Sequence, residues 1–178
     1  MKQALLIIDM LNDFVEPGAP LEVPATRDIL PALQRRLAVA REASEPVVYV
    51  CDAHRSDDPE FSRMNWPPHA LRGTRGSEVI DELAPQANDP VVEKNSYSGF
   101  LHTGLEGVLQ TLGVDQLVLT GCVTNICVLY TAYDAVVRGY RVIVPEDCVA
   151  DLDPQDGRFA LRQMRDVLGV EVVESQSL

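Results

Sequence analysis

The stretch Gln116-Leu117-Val118-Leu119-Thr120-Gly121-Cys122-Val123-Thr124-Asn125-Ile126-Cys127 decides the fold. Residues 116–120 form a largely apolar run without alternation, the pattern of a strand covered on both faces. Beyond Gly121 the period changes. Val128, Leu129, Ala132, Ala135 and Val136 make one apolar helical stripe, and Gly139 follows its end. A second apolar run, Arg141 to Val144, comes next. Strand, helix and strand in that order predict a parallel pair, because parallel strands need a crossover of this length and helices supply it.

The same alternation continues on both sides. Leu5 to Ile8, Val47 to Val50, Val91-Val92 and Val170 to Val173 read as four more strands. Ile29, Leu33, Leu37 and Ala40 make one helical stripe; Leu105, Val108, Leu109 and Leu112 make another; Phe159, Ala160, Met164, Val167 and Leu168 make the last. Gly113 and Gly169 close two of these helices, and Asp153-Pro154 opens one with an N-cap followed by proline at the first helical position. The prediction is an α/β fold: a single domain over residues 1–178, with a doubly wound, six-stranded, mostly parallel sheet and helices on both faces.

Composition narrows the function. The chain has 178 residues, 46% hydrophobic and 24% charged, which suits a globular domain with a core. No stretch approaches the roughly 18 apolar residues of a membrane span. The first residues, with Asp9 after a short apolar run, do not read as a signal peptide. Fifteen basic against 27 acidic residues leave a net charge of -12, which speaks against nucleic-acid or membrane surfaces as partners. Cys51, Cys122, Cys127 and Cys148 lack paired spacing and read as reduced thiols, consistent with a cytoplasmic protein acting on small molecules.

Two segments break the alternation. Asn12 to Thr26 carries three prolines, and Ala53 to Gly76 carries three more with the only tryptophan and two of the three histidines. Long loops in a compact domain are usually functional. Ligands in such sheets bind beyond the carboxyl ends of the strands, and there stand Asp9, then Asp52 and His54, then Lys94, then Cys127 near the first turn of a helix. Free N–H groups and the dipole at a helix start stabilise a thiolate, a nearby lysine lowers the thiol pKa further, and a carboxylate can carry protons. Taken singly each has an inert alternative, such as core cysteine, capping carboxylate or solvated lysine. Their convergence on one sheet edge is the argument for chemistry. Asp52 and His54 are two apart in an extended segment and so share a face, and His69 follows after a proline-rich loop. Two imidazoles and a carboxylate with open positions suit a catalytic zinc, and equally manganese or iron.

These residues resemble, over essentially the whole chain, the isochorismatase-like cysteine hydrolase superfamily, and within it the nicotinamidase/pyrazinamidase group. The carriers are Ile7 to Phe14, Asp52-Ala53-His54, Trp66-Pro67-Pro68-His69 with Gly73-Thr74, Lys94 with Tyr97-Ser98-Gly99-Phe100, and Gly121 to Val128 continuing into Thr131 to Ala135. The resemblance implies a catalytic triad of Asp9, Lys94 and Cys127, with Lys94 holding Asp9 ionised. It implies a cis peptide between Cys122 and Val123, and an oxyanion hole made by the N–H groups of Val123 and Cys127. It further implies substrate contacts from Phe14, Trp66 and Tyr97, and a divalent metal, zinc foremost, on Asp52, His54 and His69. Glu60 is the candidate fourth ligand and Ser62 the alternative. The implied activity is metal-dependent hydrolysis of nicotinamide to nicotinate and ammonia through a cysteine thioester, within pyridine nucleotide salvage, by a homo-oligomer.

Two alternatives stand beside it. A related cysteine amidohydrolase acting on another small amide, ureide or carbamoyl compound keeps the triad and uses the metal loop differently. A non-catalytic interaction protein on the same fold is the reading outside enzymes, and the intact triad argues against it. The vinyl-ether hydrolase branch lacks the cysteine and is disfavoured by Cys127. Cys51, Cys122 and Cys148 read as core fillers, and His102 as a surface or helix-start histidine.

Overall fold

The computed structural model describes residues 2–178. Seven strands form one sheet: β1 (Gln3–Ile8), β2 (Val47–Asp52), β3 (Val91–Lys94), β4 (Gln116–Cys122), β5 (Arg141–Pro145), β6 (Val149–Ala150) and β7 (Glu171–Val173). The order is β3-β2-β1-β4-β5-β7, with β6 pairing with β4, and every pairing is parallel. All six expected strands are present. The seventh, β6, is two residues long and extends the sheet where β4 outruns β5, too short for any periodicity to show.

The helices are α1 (Asn12–Val15), α2 (Thr26–Glu42), α3 (Pro59–Met64), α4 (Leu105–Leu112), α5 (Leu129–Val137) and α6 (Pro154–Leu168). Alternate residues of the central strands face opposite sides. Leu5, Ile7, Val47 and Tyr49 pack toward Ile29, Leu33 and Ala40 of α2. Ala4, Leu6, Ile8 and Val48 pack toward α4, α5 and α6 through Leu109, Ala132 and Met164. This two-sided burial explains the unbroken apolar runs of the strands. Gly113 and Gly169 cap α4 and α6 in the left-handed conformation, and the Asp153 side chain accepts the N–H of Gln155 at the start of α6. Among the described residues no helix is long and apolar enough to cross a membrane.

The two irregular segments each hold a short helix. α3 begins as α6 does: Asp58 accepts the N–H of Glu60 and Pro59 takes the first turn. The chain leaves β1 toward β2 and β3 on one side and resumes at β4 on the other. The strand order therefore reverses between the carboxyl ends of β1 and β4, and the candidate residues gather there.

Candidate active site

Asp9 follows β1 with a left-handed backbone (φ 54°), a conformation aspartate reaches more readily than most residues. Its N–H still donates to Val50 O at 2.9 Å, and its Oδ1 accepts the N–H of Asp52 at 2.7 Å. Sheet register sets the remaining members. Asp52 and Lys94 are direct partners across β2 and β3, and Ile8 and Gly121 across β1 and β4. Gly121 has φ 102°, and a Cβ there would lie 1.9 Å from the Ile8 carbonyl oxygen, so only glycine lets the two strands close this tightly.

Lys94 Nζ lies 2.8 Å from Asp9 Oδ2 and 3.5 Å from Cys127 Sγ, and makes an ion pair with Asp52. Cys127 sits in a π-helical turn, Thr124–Val128, that leads into α5. The Cys122–Val123 peptide is cis. Asp9, Lys94 and Cys127, predicted from separate strand ends, are thus brought together and buried. Val123 is beside them. Cys122 is buried too, but its thiol donates to Asp9 O at 3.2 Å and it helps line the pocket, so it is more than a core filler.

The electrostatics differ from the expectation of a preformed thiolate. Burial pushes the Cys127 thiol well up; Lys94 works against this, while Asp9 and Asp52 reinforce it. Burial, with the nearby Asp52 charge, pushes Asp9 up to about 6 despite the lysine. Burial also opposes ionisation of Asp52, yet Lys94 and His54 hold its carboxyl below the usual value. Lys94 is held well above its ordinary value: burial acts against its charge, and Asp52, Asp9 and Cys127 outweigh it. Burial, the largest influence on both groups, thus holds the Cys127 thiol toward its neutral form beside an Asp9 carboxyl raised toward neutrality.

One ligand atom each from Asp52, His54 and His69 lie within 4.8 Å of one another, all buried. His54 Nδ1 is 3.1 Å from Asp58 Oδ2, and His69 Nδ1 is 2.9 Å from Pro67 O. Each ring is thus oriented through Nδ1 with Nε2 left for a ligand, the outer arrangement expected of metal-binding histidines. His54 Nε2 is buried without a hydrogen-bond partner, 3.6 Å from Asp52 Oδ2 and 4.0 Å from Glu60 Oε2. An orphaned imidazole nitrogen facing two carboxylate oxygens is what a divalent cation satisfies, so the residues fit a metal. Although burial opposes its charge, Asp52 and Asp58 hold His54 up to about 9, as a proton takes the place the environment offers a cation. Glu60 is buried at the site, whereas Ser62 is exposed and donates to Pro59 O at 3.1 Å. Asp58 was not anticipated; its position four residues after His54 and its place before Pro59 were the available signals. His102 is exposed, three residues before α4.

A pocket opens over both groups. Phe14, Trp66 and Tyr97 line it together with Leu21, Val23, Ile126 and Leu152, and Asp9, Asp52, Glu60, His69, Val123 and Cys127 face it. The rings of Phe14 and His69 are 5.5 Å apart, those of Trp66 and Tyr97 6.4 Å. Its charged lining is carboxylate: no arginine or lysine is among the lining residues. Cys51 and Cys148 are buried away from it.

A doubly wound sheet with carboxyl, ammonium and thiol groups gathered at its switch point, under a small pocket, is the arrangement of an α/β protein with a cysteine-centred site. The chain belongs to the isochorismatase family, since residues 3–177 match the model described as Isochorismatase domain. N-carbamoylsarcosine amidase from Thermoplasma acidophilum is 40% identical, with TM-score 0.90, over 100% of this chain and 99% of that one. Nicotinamidase/pyrazinamidase PncA from Bacillus subtilis is 34% identical, with TM-score 0.91, over 98% and 100%. The pyrazinamidase of Pyrococcus horikoshii, solved in complex with zinc, is 29% identical, with TM-score 0.90, over 98% and 99%.

Proposed function

We propose that the protein is a metal-dependent amidase that hydrolyses nicotinamide to nicotinate and ammonia. The observation that carries this reading is the pocket lining. Aromatic and aliphatic walls suit a flat, uncharged ring, and the charged side chains facing it are carboxylates. A substrate bearing its own carboxylate would find no arginine or lysine among the lining residues to pair with it, Lys94 being already engaged by Asp9 and Asp52. That sets nicotinamide and pyrazinamide above N-carbamoylsarcosine, although the 40% identity to an N-carbamoylsarcosine amidase makes that compound the second substrate to test.

The chemistry follows from the resting charges. Cys127 carries its proton, and Asp9 is the nearby acceptor whose affinity lies near neutrality. Asp9 takes the thiol proton as sulfur attacks the carboxamide carbon. The N–H groups of Val123 and Cys127 are the proposed donors to the tetrahedral oxyanion. Asp9 returns the proton to the amine as the C–N bond breaks, ammonia leaves, and a thioester to Cys127 remains. Water, losing a proton to Asp9, cleaves the thioester and regenerates the thiol with release of nicotinate. Lys94 keeps Asp9 and Asp52 together by balancing their charge. Phe14, Trp66 and Tyr97 hold the ring. Asp52, His54 and His69, with Glu60, are the residues that would hold zinc, which when bound supplies a Lewis-acid contact for the ring nitrogen.

Ammonia release from nicotinamide and from N-carbamoylsarcosine, before and after chelation, tests the reading. Turnover of nicotinamide that chelation removes and zinc restores is expected. Turnover of N-carbamoylsarcosine alone would transfer the assignment to carbamoyl compounds.

A further inference from the structure

The segment carrying His69 is tied back to the chain that follows Asp9. The residue after His69, Ala70, has a left-handed backbone (φ 45°), costly for alanine unless its surroundings compel it. Its two peptide groups are both engaged: its carbonyl accepts the His54 N–H at 2.9 Å, and its N–H donates to Asp13 Oδ2 at 2.8 Å. One residue thereby spaces the two histidines, and Asp13 anchors it. Room for that anchor depends on Gly76, where a Cβ would lie 2.2 Å from Asp13 Oδ2 and 2.4 Å from its Cγ. The neighbouring Asn12 side chain donates to Arg75 O at 2.8 Å and Glu78 O at 3.1 Å, fixing Gly76 against the same short helix. Asp13 and its glycine cradle therefore form a matched pair that sequence spacing alone did not reveal.

We infer that Asp13 is a positioning residue for metal binding: through the Ala70 peptide it sets His69 and His54 at the separation their common ligand needs. The inference rests on the metal reading given above. Asp13 touches neither the pocket nor a proposed ligand atom, so its effect is on affinity for the ion and not on the thiol chemistry itself. Partners one shell out from a metal typically change affinity by about 10- to 100-fold, and a loss in that range is expected when the anchor goes.

The test measures zinc affinity of the full chain by competition with a chromogenic chelator, alongside thermal melts in EDTA that confirm each variant is folded. Asp13→Ala should bind zinc about 10- to 100-fold more weakly. Asp13→Asn, which keeps an oxygen acceptor of the same shape, should bind nearly as wild type. Gly76→Ala should expel the side chain and reproduce the Asp13→Ala loss, and the double variant should lose no more than either single one. Where Asp13→Ala does not fold, Gly76→Ala against Asp13→Asn carries the test. Equal affinity across all variants overturns the inference while the metal site stands. Wild type that binds no zinc removes the metal reading and the inference together.

Discussion

Replacing Lys94 by methionine keeps most of the alkyl stem and deletes the ammonium. Asp9 and Asp52 then present one oxygen each within 4.8 Å of the other in a buried site. At an effective dielectric constant of about 20, two unit charges at that distance repel by about 3.5 kcal/mol. This agrees with the cost of about 3–5 kcal/mol for removing one partner of a buried ion pair. The loss should depend on pH in a definite direction. The folded wild type already holds Asp9 at about 6 against an ordinary 3.8, with Lys94 among the influences lowering it. Without Lys94 the folded value moves further up, so the folded variant gains a proton well above the pH at which the unfolded chain does. Relative to wild type the penalty is largest above the variant's raised value, shrinks as pH falls from there to about 6, and is constant below, where both folded proteins carry the Asp9 proton. Lys94 itself, held above its ordinary 10.5, stays charged throughout and adds no slope. Urea denaturation of wild type and Lys94→Met in EDTA at pH 5 and pH 8 measures this. A stability difference that is the same at both pH values would refute the reasoning.

Four further outcomes follow from the same geometry. The kcat/KM for amide hydrolysis should fall toward acid pH, because Asp9, raised above the ordinary carboxylate range by burial, must be ionised to take the thiol proton, and the Asp9→Asn variant should lack that limb while losing about 10²- to 10⁴-fold in rate. Iodoacetamide should label Cys127 of the chelated protein slowly at pH 7 and faster with rising pH, since the resting thiol is neutral; rapid labelling at pH 7 would contradict the assigned charge state. Trp66→Ala should raise KM for nicotinamide about 2- to 10-fold with kcat little changed, as read from steady-state kinetics. Gly121→Ala should destabilise by more than about 3 kcal/mol, or prevent soluble expression, because its Cβ has no space against Ile8 and its φ is unfavourable; denaturation midpoints would show it.

The sheet and the positions at its edge were legible because each rests on a local rule. Apolar runs without alternation marked both-sided strands, and residues directly after those runs had to stand at the carboxyl edge. Asp9 and Lys94 lie at that edge and Cys127 in the turn beyond it, while their grouping as a triad is what the family resemblance implies. Asp58-Pro59 carries the same helix-start signal as Asp153-Pro154, but a six-residue helix has too few turns for an apolar stripe to support it. The protonation of Cys127 is opaque in the sequence for another reason. A helix start and a lysine are visible in the sequence, whereas the burial that works against them exists only after folding. The tie between Asp13 and Ala70 spans 57 positions and leaves no periodic trace.

The proposed metal donors and the thiol cluster draw on the chain very differently. Asp9, Lys94 and Cys127 stand at the ends of three separate strands or just beyond them, so no local change can relocate them without rebuilding the sheet. Asp52, His54, Glu60 and His69 fall in one uninterrupted stretch, and only Asp52 belongs to both groups. A lineage on this scaffold can therefore acquire, exchange or discard an ion by editing a single loop, leaving the thiol chemistry in place. The architecture makes substrate choice evolvable at low risk to catalysis, with Asp52 as the one position where the two histories meet.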